Sequence, residues 1–221
     1  MKQALHRHPN TMTGRRATIR RMIILRESSY VSVPWKNGGG VTREILRVPP
    51  EPTAFDWRLS LATIDSPGPF STFEGYQRTL VLVRGAGVEL DFGQHGRATL
   101  ASAGQMVVFD GAWPTGCTLL NGTSHDLNLI VSQERTESSG RSLQLEQAQL
   151  IQTAGWTDTL VCCICGSVRL TNTAGEMQDL TGADVARCSP ADGSITCRPS
   201  DSAPARVFVA SVRRRATPSS L

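Results

Sequence analysis

From residue 22 onward the chain is a succession of short β-branched or alternating apolar runs, bounded by Gly, Pro, Asn and Asp and recurring about every ten residues. That spacing leaves room for strands and tight turns but for no long amphipathic helix, so it restricts the chain to an all-β sandwich or barrel. Strands are predicted near 22–27, 41–48, 55–64, 78–84, 87–92, 97–101, 106–109, 116–120 and 125–132, and the stretch 143–150 reads as a short strand or helix joining two halves. At an offset of 80 the chain resembles itself: Thr79-Leu80-Val81 matches Thr159-Leu160-Val161, and Val88, Leu90 and Leu100 match Val168, Leu170 and Leu180. A Gly-x-x-Val element follows in each copy, at Gly104 and Gly182. Two related β-sandwich units are the economical explanation, and 221 residues can bury the core each unit needs.

The formal net charge of +4 does not describe the body of the chain. Lys2, Arg7, Arg15, Arg16, Arg20 and Arg21 lie in the first 22 residues and Arg213, Arg214 and Arg215 near the other end; removing these nine from 23 basic residues leaves 14 against 19 acids, a net of −5. Residues 1–21 are thus expected to be a flexible basic extension and 213–221 a flexible tail, and specific nucleic-acid binding by the folded part is disfavoured. No apolar run before Glu27 is long enough for a signal peptide or a membrane segment, so a cytoplasmic protein without membrane contact is expected. The cysteines at 117, 162, 163, 165, 188 and 197 contain no CxxC. Alternation puts Cys163 and Cys165 on one face of a strand and Cys162 on the other, as buried structural thiols. A Cys188–Cys197 bridge would span a hairpin but is disfavoured in the cytoplasm.

The stretch from Pro34 to Glu44 crowds Trp35, Lys36, Asn37, Gly38-Gly39-Gly40 and Thr42-Arg43-Glu44 together. Glycine tolerates positive φ and close approach, so this is either a ligand loop whose backbone N–H groups face a bound molecule or a glycine-rich β-turn with solvated charges. Downstream run Phe55-Asp56-Trp57-Arg58-Leu59-Ser60, then Gly68-Pro69-Phe70-Ser71-Thr72-Phe73-Glu74-Gly75 ending at Arg78, then Phe109-Asp110-Gly111 and Asp126-Leu127-Asn128. These blocks, in this order, resemble the HutD/Ves family across about residues 22–131. The resemblance implies a bicupin, a duplicated pair of jelly-roll units. Residues 22–135 would form a first cupin-like barrel with a ligand pocket, and residues 136–212 a structural second half. It also implies a role associated with histidine utilisation, with N-formyl-glutamate or a related catabolite as ligand, and no reaction.

Alternation sharpens the candidate site. Arg58 and Ser60 share a face opposite Trp57, Leu59 and Leu61; Thr42 and Glu44 oppose Arg43; Asp126 and Asn128 oppose Leu127 and Leu129. Arg58 is the leading cation for a carboxylate, with Lys36, Arg43 and Arg78 behind it; the alternative for each arginine is a structural ion pair with Glu44, Asp110 or Asp126. Asn37 and Ser60 would orient an amide or formyl group, and Asp126 or Glu44 would receive a ligand N–H. Trp35, Trp57 and Phe70 either wall the pocket or pack in the core. No metal or other cofactor is expected: only four histidines exist, His6 and His8 in the extension and the isolated His95 and His125. No GxSxG, P-loop or paired nucleophile is present. The reading is a small-anion-binding protein that senses or regulates amino-acid catabolism. A metal-free isomerase or hydrolase using Asp126 or Glu44 as base is the alternative, and a protein-interaction module a weaker one. Exposed sheet edges would allow a homodimer.

Overall fold

The computed structural model describes residues 22–35, 38–51 and 54–216. The first half of the chain forms β1 (Ile23–Leu25), β2 (Val31–Pro34), β3 (Gly40–Val48), β4 (Trp57–Ile64), β5 (Gly68–Pro69), β6 (Tyr76–Gly85), β7 (Val88–Asp91), β8 (Arg97–Leu100), β9 (Met106–Asp110), β10 (Gly116–Leu119) and β11 (Ser124–Ser132). The second forms β12 (Thr136–Leu145), β13 (Gln149–Ile151), β14 (Asp158–Cys165), β15 (Ser167–Thr171), β16 (Met177–Thr181), β17 (Val185–Cys188), β18 (Ile195–Pro199) and β19 (Ala205–Arg214). The expected strands are all present, and the joining stretch 143–150 is the end of β12 plus the start of β13. Within the first half two short strands were not anticipated, β2 and β5. β2 is exposed along its whole length, so it carries no alternation to detect.

Four antiparallel sheets make two sandwiches. In the first, β2-β3-β4-β11-β6-β9 faces β5-β10-β7-β8; in the second, β1-β17-β14-β19-β12 faces β13-β18-β15-β16. The orders β4-β11-β6-β9 and β12-β19-β14-β17 repeat, as do those of the two smaller sheets, so the chain is a duplicated all-β bicupin. Each sandwich has an apolar interior: Leu80, Leu82, Val88, Leu90 and Leu100 in the first, Val161, Cys163, Val168, Leu170 and Leu180 in the second. A third core joins the two large sheets back to back, with Trp57, Leu59, Leu61, Leu127 and Leu129 meeting Leu160, Cys162, Phe208 and Ala210.

This arrangement corrects the offset of 80 on one strand. Leu80 points into its sandwich, whereas Leu160 points out into the core between the halves; the inward counterpart of Leu80 is Val161. A one-residue slip exchanges the faces of a strand, and the turn to the next strand takes it up: Gly85 to Val88 is three steps and Gly166 to Val168 two, so the offset of 80 holds on β15. A bulge between Cys163 and Cys165 leaves Cys165 exposed instead of buried beside Cys163; all six thiols are free.

Two boundaries also differ from expectation. Residues 23–25 sit with the second half, because β1 hydrogen-bonds along β17. The arginines assigned to a flexible tail are structured as far as residue 216. Arg213 Nε donates to Glu137 at 2.7 Å and Arg214 Nε to the buried Asp56 at 2.8 Å, so acids on neighbouring elements hold them. Residues 1–21 and 217–221 lie outside the described residues.

After β1 the chain crosses to the first half, and Glu27 pins the crossing. Its carboxylate accepts from Arg84 Nη2 at 2.6 Å, pairs with Arg43 at 3.1 Å and accepts from the Ala183 N–H of the second half at 3.1 Å. The Arg84 hydrogen bond, against the cost of burial, holds this carboxyl at about 2, below its ordinary 4.5. A depressed carboxyl stabilises the fold above its unfolded pKa, and that contribution is lost as pH falls through the folded one. Acid titration of stability should therefore show a loss between about pH 4.5 and 2 that is absent in Glu27→Gln, followed by denaturant unfolding; identical slopes in both proteins would show that Glu27 is not the linked group.

Candidate functional site

A cavity of about 770 Å³ opens in the first sandwich beside its apolar core, on which the lining residues Trp35 and Phe70 also pack. Its floor is the large sheet, and strand register arranges the floor in rows. Arg47, Arg58, Ile130 and Arg78 stand abreast on β3, β4, β11 and β6; the next row is Glu44, Ser60, Asn128 and Leu80, and the next Thr42, Ala62, Asp126 and Leu82. Val33, Pro34 and Trp35 form one wall, and Pro69, Phe70, Ser71 and Phe73 close over the arginines.

The alternation that predicts which side chains share a face is realised here. Arg58, Ser60, Asp126 and Asn128 face the cavity, while Trp57, Leu59, Leu61, Leu127 and Leu129 fill the core behind it. Of the predicted residues, Trp35, Glu44, Arg58, Ser60, Phe70, Arg78, Asp126 and Asn128 come together as lining. Arg43 does not: it points to the other side of β3 and pairs with Glu27. Gly38 and Gly39 are not lining either. They belong to the β2–β3 hairpin turn, where Gly38 (φ +71°) donates its N–H to Trp35 O at 3.0 Å and the Gly39 carbonyl accepts from Asp65 at 3.0 Å. Gly40 matters sterically, because a Cβ there would meet Thr63 O at 2.3 Å. Lys36 and Asn37 lie outside the described residues. Trp57 packs in the core and not on the cavity.

Arg47 and Phe73 complete the site and were missed. Strict alternation from Glu44 would turn Arg47 away, but a bulge between Glu44 and Leu46 inserts one residue and brings Arg47 round to the cavity. No local signal announces that bulge. Phe73 was visible only as part of the Gly-Pro-Phe-Ser-Thr-Phe turn; its ring lies 5.2 Å from the Arg58 guanidinium and 5.5 Å from that of Arg78.

Electrostatically the site is unfinished. Arg47 pairs with Glu44 at 2.9 Å. Arg78, 4% exposed, donates from Nη1 to Ser71 O at 3.1 Å, yet its buried Nε has no partner, and neither has Nε of Arg58. Both oxygens of Asp126 and Oδ1 of Asn128 are likewise buried without partners. Burial pulls the Arg78 guanidinium down to about 10 and lowers that of Arg58; burial pushes the Asp126 carboxyl up to about 7, with Arg78 opposing. Asp110, a candidate partner for the arginines, is engaged by Ala112 N–H at 2.8 Å and Gln133 Nε2 at 3.1 Å. Native proteins rarely leave so many buried polar atoms unpaired in one place, and a polar ligand is the direct way to satisfy them.

In the second sandwich the register-equivalent place holds only a small cavity of about 140 Å³, lined by Ser139, Arg141, Gln152, Trp156, Val209 and Ser211, without the buried acid and amide. By register the positions of Asp126 and Asn128 are taken by Val207 and Val209, members of its apolar interior. Nor does the lining fit a divalent cation: two acids stand among three arginines, and among the described residues no three His, Cys, Asp or Glu side chains cluster suitably. His95 stacks on Trp113 at 4.2 Å and His125 turns away from Asp126, while His6 and His8 lie outside the described residues.

Comparison with known proteins gives this geometry a family. The HutD family model matches residues 27–204. The chain belongs to the HutD family. A 21.2 kDa uncharacterised protein from the hutC 3' region of Pseudomonas putida is 43% identical over 114 residues, 51% of this chain and 59% of that protein. Protein Ves of Citrobacter koseri is 36% identical over 108 residues, 48% of this chain and 56% of Ves. The matched stretch thus spans little more than half the length of these curated relatives. Among solved structures, HutD from Pseudomonas fluorescens SBW25 superposes with a TM-score of 0.74 at 30% identity, covering 89% of this HutD-family chain and 100% of that one. A conserved Pseudomonas aeruginosa protein of unknown function gives 0.76 at 28% identity with the same coverage. A Bacillus subtilis oxalate decarboxylase mutant, at 9% identity and a TM-score of 0.62 over 88% of this chain and 78% of its own, shares the fold alone. Among the described residues no helix is long and apolar enough to cross a membrane.

Proposed function

We propose that this HutD-family protein binds a small carboxylate metabolite, N-formyl-glutamate or a related catabolite, in the first-half cavity, and so senses or regulates flux through histidine or amino-acid catabolism. The observation that carries the reading is the buried Arg78 beside the half-buried Arg58, whose unpartnered Nε atoms share one cavity with the unpartnered acceptors of Asp126 and Asn128. Guanidinium forks hold carboxylates through parallel charge-assisted hydrogen bonds, and the acceptors suit an amide N–H on the same ligand. The relative from the hutC 3' region supports the pathway.

Thermal unfolding of the wild type and Arg58→Ala, with N-formyl-glutamate, urocanate, glutamate or histidine added, tests this. A ligand at about 100 times its Kd adds about 2.7 kcal/mol. That gain is expected for one carboxylate in the wild type and its loss in Arg58→Ala, with the unliganded variant still folded. Retained stabilisation in the variant would remove Arg58 from the site, and a shift produced only by divalent cations would overturn the reading.

The position of Asp126 near neutrality favours a second reading, a metal-free isomerase or hydrolase with Asp126 as general base. Mass spectrometry of the same incubations separates the two, since ligand recovered unchanged after prolonged contact excludes turnover of that ligand.

A further inference from the structure

We propose that the first-half cavity takes a carboxylate dianion together with one proton, and that Asp126 carries the proton. This rests on the carboxylate-binding reading above and adds its charge balance. Among the described lining residues, Glu44 and Arg47 neutralise each other at 2.9 Å, which leaves Arg58 and Arg78 as uncompensated cations and Asp126 as the remaining acid. With Asp126 ionised these three groups carry a single positive charge; with Asp126 neutral they carry two, the number that two carboxylates require. An ionised Asp126 beside a bound dianion would be a third negative charge, at a carboxyl that is itself buried from water.

The surroundings of Asp126 favour its neutral form. It is 2% exposed, its cross-strand neighbours Ala62 and Leu82 bring no hydrogen-bond donor, and neither carboxyl oxygen has a partner. As an acid it gains an O–H that can be donated to a ligand oxygen. Arg78 from β6 and Cys117 from β10 are the charged or titratable groups that act on it, while Arg58 from β4 and the Glu44–Arg47 pair from β3 line the same cavity. The Cys117 thiol, pushed up to about 12 by burial and then by Asp126, stays protonated. His125 lies on the opposite face of β11, with Arg84, Arg43 and Glu27 around it. In the free cavity the positive charge of Arg78 is what opposes protonation of Asp126. A carboxylate bound to Arg78 cancels that opposition, so binding and protonation reinforce each other, and affinity is full at low pH and falls as pH rises through neutrality.

Calorimetric titration of the full chain with glutarate tests this, run at about pH 6, 7 and 8 and, at the highest pH, in phosphate and in Tris, whose different heats of ionisation report protons exchanged with buffer. The expected result is uptake of close to one proton per glutarate and an affinity about tenfold weaker for each pH unit above neutrality. Asp126→Asn, which preserves shape, is expected to bind glutarate with no proton uptake and no such slope. Glutarate binding by the wild type with buffer-independent heat and a flat pH profile overturns the proposal while carboxylate binding stands, and needs no variant to fold. Failure of both glutarate and N-formyl-glutamate to bind at any pH overturns the proposal and the reading beneath it together.

Discussion

Arg78→Met is expected to abolish carboxylate binding and yet to raise the stability of the unliganded protein. Arg78 is buried on β6, with the rings of Phe70, Phe73 and Phe109 at 5.2, 5.5 and 5.0 Å from its guanidinium. Its one hydrogen bond, to Ser71 O, does not repay the removal of a full charge from water, and burial is accordingly the first cause of its lowered pKa. Replacing such a charge with an apolar side chain of similar reach is neutral or stabilising by about 1–4 kcal/mol, and methionine adapts readily to aromatic surroundings. With ligand the sign reverses. Truncating one partner of a buried charge pair costs about 2–5 kcal/mol, or roughly 30-fold to several thousand-fold in affinity. Opposite signs in the two measurements distinguish a ligand arginine from a structural one. If melting shows a destabilised variant and titration shows unchanged binding, Arg78 belongs to the scaffold.

Phe208→Ala is expected to lose about 3–5 kcal/mol, the usual cost of emptying a buried aromatic site. For a chain of this size that corresponds to a fall in Tm of about 6–20 °C. Phe208 is fully buried on β19, in the core between the two large sheets. Its ring lies over Gly140 of the neighbouring strand, where even a Cβ would approach it to 3.1 Å, so that side offers no side chain to refill the hole. Because this core is built from both sandwiches, denaturant should unfold the wild type in one transition, with the variant's midpoint shifted and its cooperativity kept. Two separate transitions in the wild type would mean that the halves fold independently, and a loss below about 1 kcal/mol would mean that the surrounding sheets close over the gap.

Local periodicity determined a good deal about this protein. Side chains alternate across a strand with a period of two, so the contrast between Arg58-x-Ser60 and Trp57-x-Leu59-x-Leu61 marked β4 as a strand with one polar face, and Asp126-x-Asn128 against Leu127-x-Leu129 did the same for β11. Those two strands pair directly, which brings their polar residues to one floor. Glycines and prolines punctuated the runs well enough to place most strands of the first half, and the repeated order of runs announced the duplication.

What the tertiary structure alone decided is everything that depends on a partner distant in sequence. Arg47 enters the cavity because of a single inserted residue in β3, and Val161 rather than Leu160 faces inward in the second sandwich because its strand is shifted by one. Neither event alters composition or spacing enough to be read locally, yet each exchanges the two faces of a strand. Arg43 and Arg78 look alike as isolated cations; Glu27, 16 residues before Arg43 in the chain, is folded back against the first, while the second is left buried with an unpartnered nitrogen. Whether a charge is already paired or still open to a ligand is set by which carboxylate the fold brings within about 4 Å of it, a distance that no sequence pattern encodes.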